Sequence, residues 1–200
     1  MITYILLVAN EKSLDSIIKT LEGNIPDMRM PWNILCLTNN KELYPKIRNR
    51  IQEVVDDMPQ DYRRECLTEY VSELDYTQAI PLIRDVPDKS MIILNDFDAL
   101  PRNAVSKMIY ELTYKPYAGF ICFRTEHSLE YKVDNIYSKS PQLMPTKDQE
   151  IDTATPYGVL LKASTFREIA EQFKGSCWLF GIELRKKGYT NYCVKEVKSA

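Results

Sequence analysis

The sequence predicts an α/β fold, a single-domain α/β/α sandwich whose central sheet is mostly parallel. Three observations lead to this prediction. Short apolar runs typical of strands alternate with segments of helical periodicity along the whole chain. The 200 residues, 44% of them hydrophobic, are enough to bury one sizeable core. No apolar run is long enough to span a bilayer, the longest at the amino end being "YILLVA".

The first strand and helix are clear in the pattern. The run "ITYILLVAN" is apolar, branched and aromatic, as a buried strand requires. The segment "EKSLDSIIKTLEGN" that follows has the spacing of an amphipathic helix, with its apolar face made by Leu14, Ile17, Ile18 and Leu21. Ser13 is expected to cap this helix and Gly23 to end it.

The next part of the chain is predicted to continue the alternation. "WNILCLTNN" is a second strand, a short helical patch follows around "KELYPKIR", where Pro45 restricts its extent, and "IQEVVDD" comes next. From Pro59 to Ile80 the apolar residues recur at helical spacing, which predicts a helix that Pro81 stops.

The second half of the chain is predicted to add strands and helices in turn. "SMIILN" is a strand, and a helix begins at Pro101 in "PRNAVSKMIYEL". "AGFICFRT" and "YGVLLK" are strands, the helix "ASTFREIAEQFKG" buries Phe173 and closes at Gly175, and the helix "WLFGIELRKKG" leads into the strand "YTNYCVKEV". Residues 124–156 show no sustained periodicity, so we expect a long loop there, of the kind that covers a substrate.

Charge and cysteine content narrow the classes of function. A formal net charge of -2 argues against a protein that neutralises a nucleic-acid backbone, so no nucleic-acid partner is expected. No basic residue precedes the first apolar run to make a secretory signal, and the five cysteines include no C-x-x-C pair. We therefore expect a cytoplasmic protein with no transmembrane segment and neither a zinc site nor a redox pair.

Two carboxylates follow the strand "MIILN", at Asp96 and Asp98. Residues i and i+2 of an extended segment point to the same side, so both carboxylates would face one spot at the carboxyl end of the sheet, where open α/β sheets bind ligands. Their mutual repulsion is relieved by a hard divalent cation, Mg²⁺ or Mn²⁺. The alternative is that Asp98 caps the next helix while Asp96 points to water.

The order of these elements resembles that of the GT-A glycosyltransferases, in particular the large family of inverting enzymes with a D-x-D signature. The similarity covers most of the chain, through "LLVAN", "CLTNN", "MIILNDFDALP" and the ending "ELRKKGYTNYCV". It implies a GT-A, Rossmann-like sandwich in which residues 1–100 form the nucleotide-binding half and residues 101–200 the acceptor half.

The resemblance also implies a function and a set of site residues. Asp96 and Asp98 would hold Mn²⁺ or Mg²⁺ on the diphosphate of a nucleotide sugar, with Asp98 the more direct ligand. Asn10 and Asn39 match the strand ends that border the nucleotide in the family, although asparagine serves ordinary turns equally well. The acceptor, whether a protein, a glycan or a lipid, stays open, as do the sugar and the nucleotide base of the donor.

An inverting enzyme also needs a base for the acceptor hydroxyl. The family commonly places this acid just before the last helix, where this chain has "GSCWLFG" and no acid. We favour Asp152, which precedes the strand "PYGVLL" and could be fixed by the scaffold; the alternatives are Glu150, Asp148 and Glu183.

For several other residues, an ordinary structural role is the alternative to a functional role. His127, the only histidine, is either a third metal ligand or, as we prefer, a surface residue. Trp178 and Tyr157 could stack on a sugar, and the cations could bind phosphate, although aromatic core and helix-end charges are the usual roles. Those cations are Arg63, Arg64, Arg185, Lys186 and Lys187.

Two functions compete with sugar transfer. A haloacid dehalogenase type of phosphatase also has an acid pair after an apolar strand, but that family has the pair near the amino end and a threonine or valine where this chain has Leu100. A catalytically degenerate α/β module that binds a nucleotide or a partner protein is the other alternative, because "GSCWLFG" lacks a base.

Overall fold

The computed structural model describes residues 1–26, 28–138, 142–170 and 177–194, with only the backbone described at 64 and 177–179. The helices are α1 (Glu11–Asn24), α2 (Tyr44–Asp56), α3 (Ala104–Tyr114), α4 (Ala163–Ala170) and α5 (Cys177–Lys186), with 3₁₀ segments at Gln60–Tyr62 and Tyr76–Ile83. The strands are β1 (Ile2–Leu7), β2 (Trp32–Thr38), β3 (Arg63–Tyr70), β4 (Met91–Asn95), β5 (Ala118–Phe123), β6 (Glu130–Val133), β7 (Leu143–Pro145), β8 (Glu150–Ile151), β9 (Thr153–Ala154), β10 (Val159–Lys162) and β11 (Thr190–Val194).

A single eight-stranded sheet organises the described residues, in the order β3-β2-β1-β4-β10-β5-β11-β8. Strands β3, β2, β1, β4, β5 and β11 run in one direction, while β10 and β8 run in the other. The predicted α/β class with a mostly parallel central sheet is therefore confirmed. The carboxyl ends of β1, β2, β4 and β5 meet at one edge, which brings the segments that follow them together.

Apolar residues are buried on both faces of this sheet. One core cluster joins the sheet to α1, α2 and α3 through residues such as Ile17, Ile47 and Met108, and the other joins it to α4, α5 and the 3₁₀ segment Tyr76–Ile83 through Phe166 and Leu184. All six residues of β1 are buried, as expected of a central strand covered on both sides. Helices thus cover both faces of the sheet.

The N-cap of helix α1 lies one turn earlier than the sequence predicted. Asn10 is the N-cap: its side chain accepts from Ser13 N at 3.0 Å, and Ser13 Oγ accepts from the Asn10 N–H at 3.1 Å, which makes a capping box. Ser13 is therefore the third helical residue and not the cap. Gly23 does not end the helix, which continues to Asn24.

The prediction of a helix from Pro59 to Ile80 is wrong. That segment contains the edge strand β3, flanked by two 3₁₀ segments, and Pro81 lies inside the second of them. Both faces of β3 contact apolar layers, Cys66 on one cluster and Leu67 and Val71 on the other. Adjacent apolar residues on a two-sided strand reproduce the spacing of a helix, which explains the error.

The outer edge of β3 has no strand partner among the described residues. Its pairing with β2 shifts register between Trp32 and Asn33, which marks a bulge at the start of the strand. The Tyr44 hydroxyl of α2 donates to the Thr68 carbonyl at 3.1 Å. The edge is therefore irregular at one end and capped by a side chain near the other.

Three further predictions of element boundaries need correction. "KELYPKIR" and "IQEVVDD" belong to one helix, α2, because Pro45 lies in its first turn, where proline is tolerated, and does not limit it. Helix α3 begins at Ala104, three residues after Pro101. Its N-cap residue, Asn103, adopts a left-handed conformation with φ of 63°, so the helix starts only after it.

Residues 124–156 are not a structureless loop, so the expectation of a long loop is wrong. They contain β6, β7, β8 and β9; a small sheet has the order β7-β6-β9, and β8 joins the large sheet. Strands of two to four residues are too short to show a period in the sequence, which is why none was visible.

Two other expectations fall partly outside what is described. The predicted burial of Phe173 and the helix end at Gly175 lie outside the described residues. Across the described ranges, no helix combines the length and the apolar character needed to cross a membrane.

Candidate functional site

The site lies where β4 ends. Strand β4 stops at Asn95, and residues 96–98 form a bend, so the alternation of an extended segment does not apply to Asp96 and Asp98. Asn95 is fully buried, and its amide donates to the Asp98 carbonyl and to the Tyr157 carbonyl, each at 3.0 Å. These two bonds hold the bend and attach it to the segment before β10.

The Asp98 carboxylate is buried and is bound by the turn that follows β5. Its Oδ2 accepts from Thr125 Oγ1 at 2.5 Å and from the His127 N–H at 2.9 Å. Its Oδ1 lies 2.7 Å from His127 Nδ1, and because a carboxylate oxygen accepts, this ring nitrogen carries the proton. The acceptor capacity of Oδ2 is used, whereas Oδ1 retains one lone pair.

Asp96 is in a different environment. Burial raises its pKa to about 7, an effect that the backbone N–H of Phe97 partly offsets and that the negative charge of Asp98 increases. Its Oδ1 is buried and has no hydrogen-bond partner, and the same is true of Asn95 Oδ1. Buried oxygens normally have partners, and a bound cation is one group that would supply the partner missing here.

This donor set suits a hard cation. Oxygens from Asn95, Asp96 and Asp98 are the type of ligand that Mg²⁺ and Mn²⁺ prefer. Over the described ranges, no group of three or more histidine, cysteine or acidic side chains is placed to hold a metal. A cation here would therefore need further oxygens from water or substrate, which is how Mg²⁺ is usually held beside phosphates.

Aromatic and basic side chains surround the bend. The Phe97 ring, between the two aspartates, meets the His127 ring edge-on at a centroid distance of 5.7 Å and the Tyr157 ring at 5.5 Å. Lys12 Nζ of α1 lies 5.0 Å from the Phe97 ring centroid. Tyr157, for which sugar stacking was the alternative to an ordinary core role, thus lies at the acid pair together with the exposed Lys12.

The two asparagines predicted to border the nucleotide lie at the same edge of the sheet as Asp96 and Asp98. Asn10 and Asn39 are exposed, after the ends of β1 and β2. Asn10 caps α1, and Asn40, the neighbour of Asn39, accepts from the Glu42 and Leu43 N–H groups. Lys41 Nζ lies 5.4 Å from the Tyr70 ring centroid, which adds a second cation to this edge.

Asp152, the favoured base, is buried between β8 and β9. It does not directly precede the strand predicted at "PYGVLL", because that strand, β10, begins at Val159 and not at Pro156. Its Oδ2 accepts from the Val133 N–H at 2.9 Å, and its Oδ1 lies 3.0 Å from Arg185 Nε. A carboxylate with these partners has a structural role that is independent of any base function.

The alternative bases are differently placed. Glu150 is exposed, with one oxygen 3.7 Å from Arg185 Nη1, and Asp148 is exposed as well. Glu183 lies within α5 and pairs with Lys186 at 2.6 Å. None of these contacts joins an alternative base to Asp96 or Asp98.

Four of the five cations for which phosphate binding was the alternative role form ion pairs elsewhere: Arg63, Arg185, Lys186 and Lys187. Arg63 pairs with Asp56, and Lys187 pairs with Glu168. The side chains of Arg64 and Trp178 lie outside the described residues.

His127 and Thr125 are the site residues that sequence reasoning undervalued. His127 was expected to be a surface residue, and its side chain is indeed 51% exposed, yet its ring and its backbone both contact Asp98. Thr125 gave no signal at all, since a threonine after a strand is common. The one available clue was position, because both residues follow β5 at the edge of the sheet where Asp98 lies.

No protein-family model and no curated protein sequence matches the chain. Solved structures do match it. The mannosyltransferase PcManGT from Pyrobaculum calidifontis, in complex with GDP-Man and Mn²⁺, is 14% identical with a TM-score of 0.59, over 98% of this chain and 55% of that one. TarS of S. aureus is 9% identical with a TM-score of 0.56, over 100% of this chain and 36% of that one.

A further match of another kind is the 2-C-methyl-D-erythritol 4-phosphate cytidylyltransferase of Francisella tularensis. It is 12% identical with a TM-score of 0.51, over 97% of this chain and 89% of that one. At these identities the comparisons establish the fold, a mixed α/β architecture with a large, mostly parallel sheet of the Rossmann-like GT-A type. The chain spans about a third of TarS and just over half of PcManGT.

Proposed function

We propose that this protein transfers a sugar from a nucleoside diphosphate sugar to an acceptor hydroxyl, with Mn²⁺ or Mg²⁺ at the acid pair and inversion at the anomeric carbon. The observation that carries the proposal is the group of buried, unpartnered oxygens of Asn95 and Asp96 beside Asp98, at the carboxyl end of β4. PcManGT, which shares the fold, was solved with GDP-Man and Mn²⁺. Both facts support a nucleotide sugar as the donor.

The side chains divide the work of binding the donor. Asp96 Oδ1 and the remaining lone pair of Asp98 Oδ1 would hold the cation, while Thr125 and His127 keep the Asp98 carboxylate in one orientation. When bound, the cation would stabilise the negative charge that builds on the departing nucleoside diphosphate. Lys12, beside the Phe97 ring, would add a positive charge for the same phosphates.

The proposal is tested by titrating the protein with nucleotide sugars, with and without Mn²⁺, by isothermal calorimetry. The wild type should bind one donor only when the cation is present, and Asp96→Asn and Asp98→Asn should each weaken binding by about 10-fold or more, because a metal ligand is lost. The matched control is Asp61→Asn, an exposed acid in the 3₁₀ segment that precedes the amino end of β3. Equal, cation-independent binding by all four proteins would refute the proposal.

Product analysis with the same protein preparation distinguishes sugar transfer from nucleotidyl transfer. Sugar transfer releases a nucleoside diphosphate, and an inverting enzyme gives the opposite anomer, which proton NMR of the product reads directly. A nucleotidyltransferase would instead release pyrophosphate from CTP or UTP in the presence of a sugar phosphate. Pyrophosphate release without sugar transfer would contradict the proposal.

We also propose Asp152 as the base. Its support is that the scaffold fixes it: it lies between two strands, and its carboxylate is buried. Asp152→Asn should lower kcat by roughly 10²- to 10⁴-fold and leave donor affinity unchanged, because the amide cannot take a proton. Single-turnover transfer and donor titration measure the two quantities.

The competing structural role of Asp152 is separated by breaking the same ion pair from its other side. Arg185→Met removes the partner of Asp152 Oδ1 and leaves the carboxylate in place. If the role of Asp152 is only to pair with Arg185, both variants should lose stability and activity alike. Glu150→Gln, at the exposed neighbouring acid, is the control for a general loss of negative charge.

A further inference from the structure

Asp98 is bound by a turn that is itself fixed by a partly buried network around Glu130. The turn, residues 124–130, leaves β5 and enters β6, and three of its members form a network of their own: Arg124, Ser128 and Glu130. Ser128 Oγ accepts from the Thr125 N–H at 2.9 Å and donates to Glu130 Oε1 at 3.0 Å. The hydroxyl therefore connects the residue that binds Asp98 to a buried carboxylate.

Glu130 is the fixed point of this network. Its side chain is 6% exposed, its Oε2 lies 2.9 Å from Arg124 Nη2, and Cys193 Sγ of β11 lies 3.6 Å from its Oε1. The ends of the turn are attached to different segments: Arg124 N donates to the Val194 carbonyl of β11 at 2.9 Å, and Leu129 N donates to Oγ1 of Thr155, just after β9, at 3.0 Å. A buried carboxylate that contacts a partly exposed guanidinium, a hydroxyl and a thiol has little freedom to move.

We propose that residues 124–130 form a preset cradle that fixes the Asp98 carboxylate before any donor binds, with Ser128 and Glu130 as its positioning residues. Three bonds from Thr125 and His127 orient the carboxylate, and the Ser128–Glu130–Arg124 network orients those two residues in turn. These bonds use one lone pair of Asp98 Oδ1 and leave the other without a hydrogen-bond partner from the turn. The inference rests on the proposed function for its consequence, though not for its geometry.

The single histidine offers a readout that needs no donor. His127 is the only histidine in the chain, so ¹⁵N-histidine labelling gives one imidazole in the NMR spectrum. In the wild type, Nδ1 should carry the proton and hydrogen-bond Asp98, whereas free imidazole favours a proton on Nε2. We expect Ser128→Ala to shift the two ring ¹⁵N signals toward those of the free ring, because the turn loses its link to Glu130.

The functional consequence is measured separately, as Mn²⁺-dependent donor binding. Loss of an outer-shell partner typically weakens metal binding by about 10- to 100-fold, and we expect that range for Ser128→Ala and Glu130→Gln. Ser128→Thr, which keeps a hydroxyl, should recover most of the affinity and the wild-type ring signals. Ile47→Val, in the distant core under α2, controls for a simple loss of stability.

The outcomes separate the two proposals. If Ser128→Ala leaves the ring ¹⁵N signals at their wild-type values, the cradle is refuted whatever the protein binds. If the signals shift as expected but the wild type binds no nucleotide sugar, the cradle stands and the proposed function fails. If Ile47→Val also shifts the ring signals, the effect reports stability and the positioning role is refuted.

Discussion

At the scale of single residues, the environment of Asp96 disfavours its charged form. Burial raises its pKa to about 7. The folded protein therefore holds a proton on Asp96 between about pH 4 and pH 7, where the unfolded chain has released it. Folding is penalised as the pH rises through this range, and the penalty is complete above pH 7. A site that binds cations stores this kind of cost in its empty state.

Asp96→Asn should relieve that penalty. In EDTA at pH 8 the variant should be more stable than the wild type by on the order of 1–4 kcal/mol, because an amide has no charge to desolvate. At pH 4 the two should be nearly equal, since Asp96 is protonated when folded. Urea denaturation at both pH values measures the difference, and a gap that is larger at pH 4 would contradict the assigned cause.

Lys12 is a second residue whose role can be isolated. Lys12→Ala should raise the KM for the donor several-fold with little change in stability, because the side chain is exposed and its ring contact with Phe97 is worth about 0.5–1 kcal/mol. Lys12→Arg keeps the charge and should restore the KM. Steady-state kinetics across donor concentrations distinguish the three proteins, and equal KM values would remove Lys12 from the site.

At the scale of elements, one residue at the start of α1 combines an observed structural role with a proposed binding role. Asn10 caps the helix and also matches the strand end predicted to border the nucleotide. Asn10→Ala should cost about 1 kcal/mol of stability through the lost cap. Asn10→Ser keeps a capping oxygen but removes the amide, so its stability should be near wild type while its donor affinity falls if the amide binds nucleotide. Thermal unfolding and donor titration read the two roles independently.

Central strands that are fully buried were predictable, whereas the partly exposed edge strand β3 was not. Strands β1, β2, β4 and β5 are continuous apolar runs, because layers on both faces demand it. Strand β3 was mistaken for a helix since its two faces meet different layers and place apolar residues side by side. The acid pair was predictable from its place after β4, whereas the hydrogen bonds of Thr125 depend on a turn closed by long-range pairing, which local sequence does not encode.

At the scale of the whole molecule, two glycines test how tightly the layers pack. A Cβ at Gly181 of α5 would lie 2.5 Å from the Asp152 carbonyl and 2.6 Å from Thr153 Cα, whereas one at Gly23 of α1 would have Arg102 Cα as its nearest neighbour at 3.5 Å. Gly181→Ala should destabilise the protein by about 1–3 kcal/mol by pushing α5 from β9.

Gly23→Ala should have the opposite sign. It has room for the methyl group and should add about 0.5–1 kcal/mol, because alanine is the better helix former. Urea denaturation of both variants measures the pair. If the two glycines behaved alike, the close approach of α5 to the Asp152 segment would not exist.

The unpaired side of β3 bears on how the protein behaves in crowded solution. A row of exposed amide and carbonyl groups invites recruitment of further copies into growing ribbons, which many proteins prevent with kinks and covering side chains. Here the bulge opposite Trp32 and the Tyr44 hydroxyl on the Thr68 carbonyl supply both safeguards. Removing one oxygen atom, in Tyr44→Phe, should therefore lower the concentration at which the protein remains clear of light-scattering aggregates.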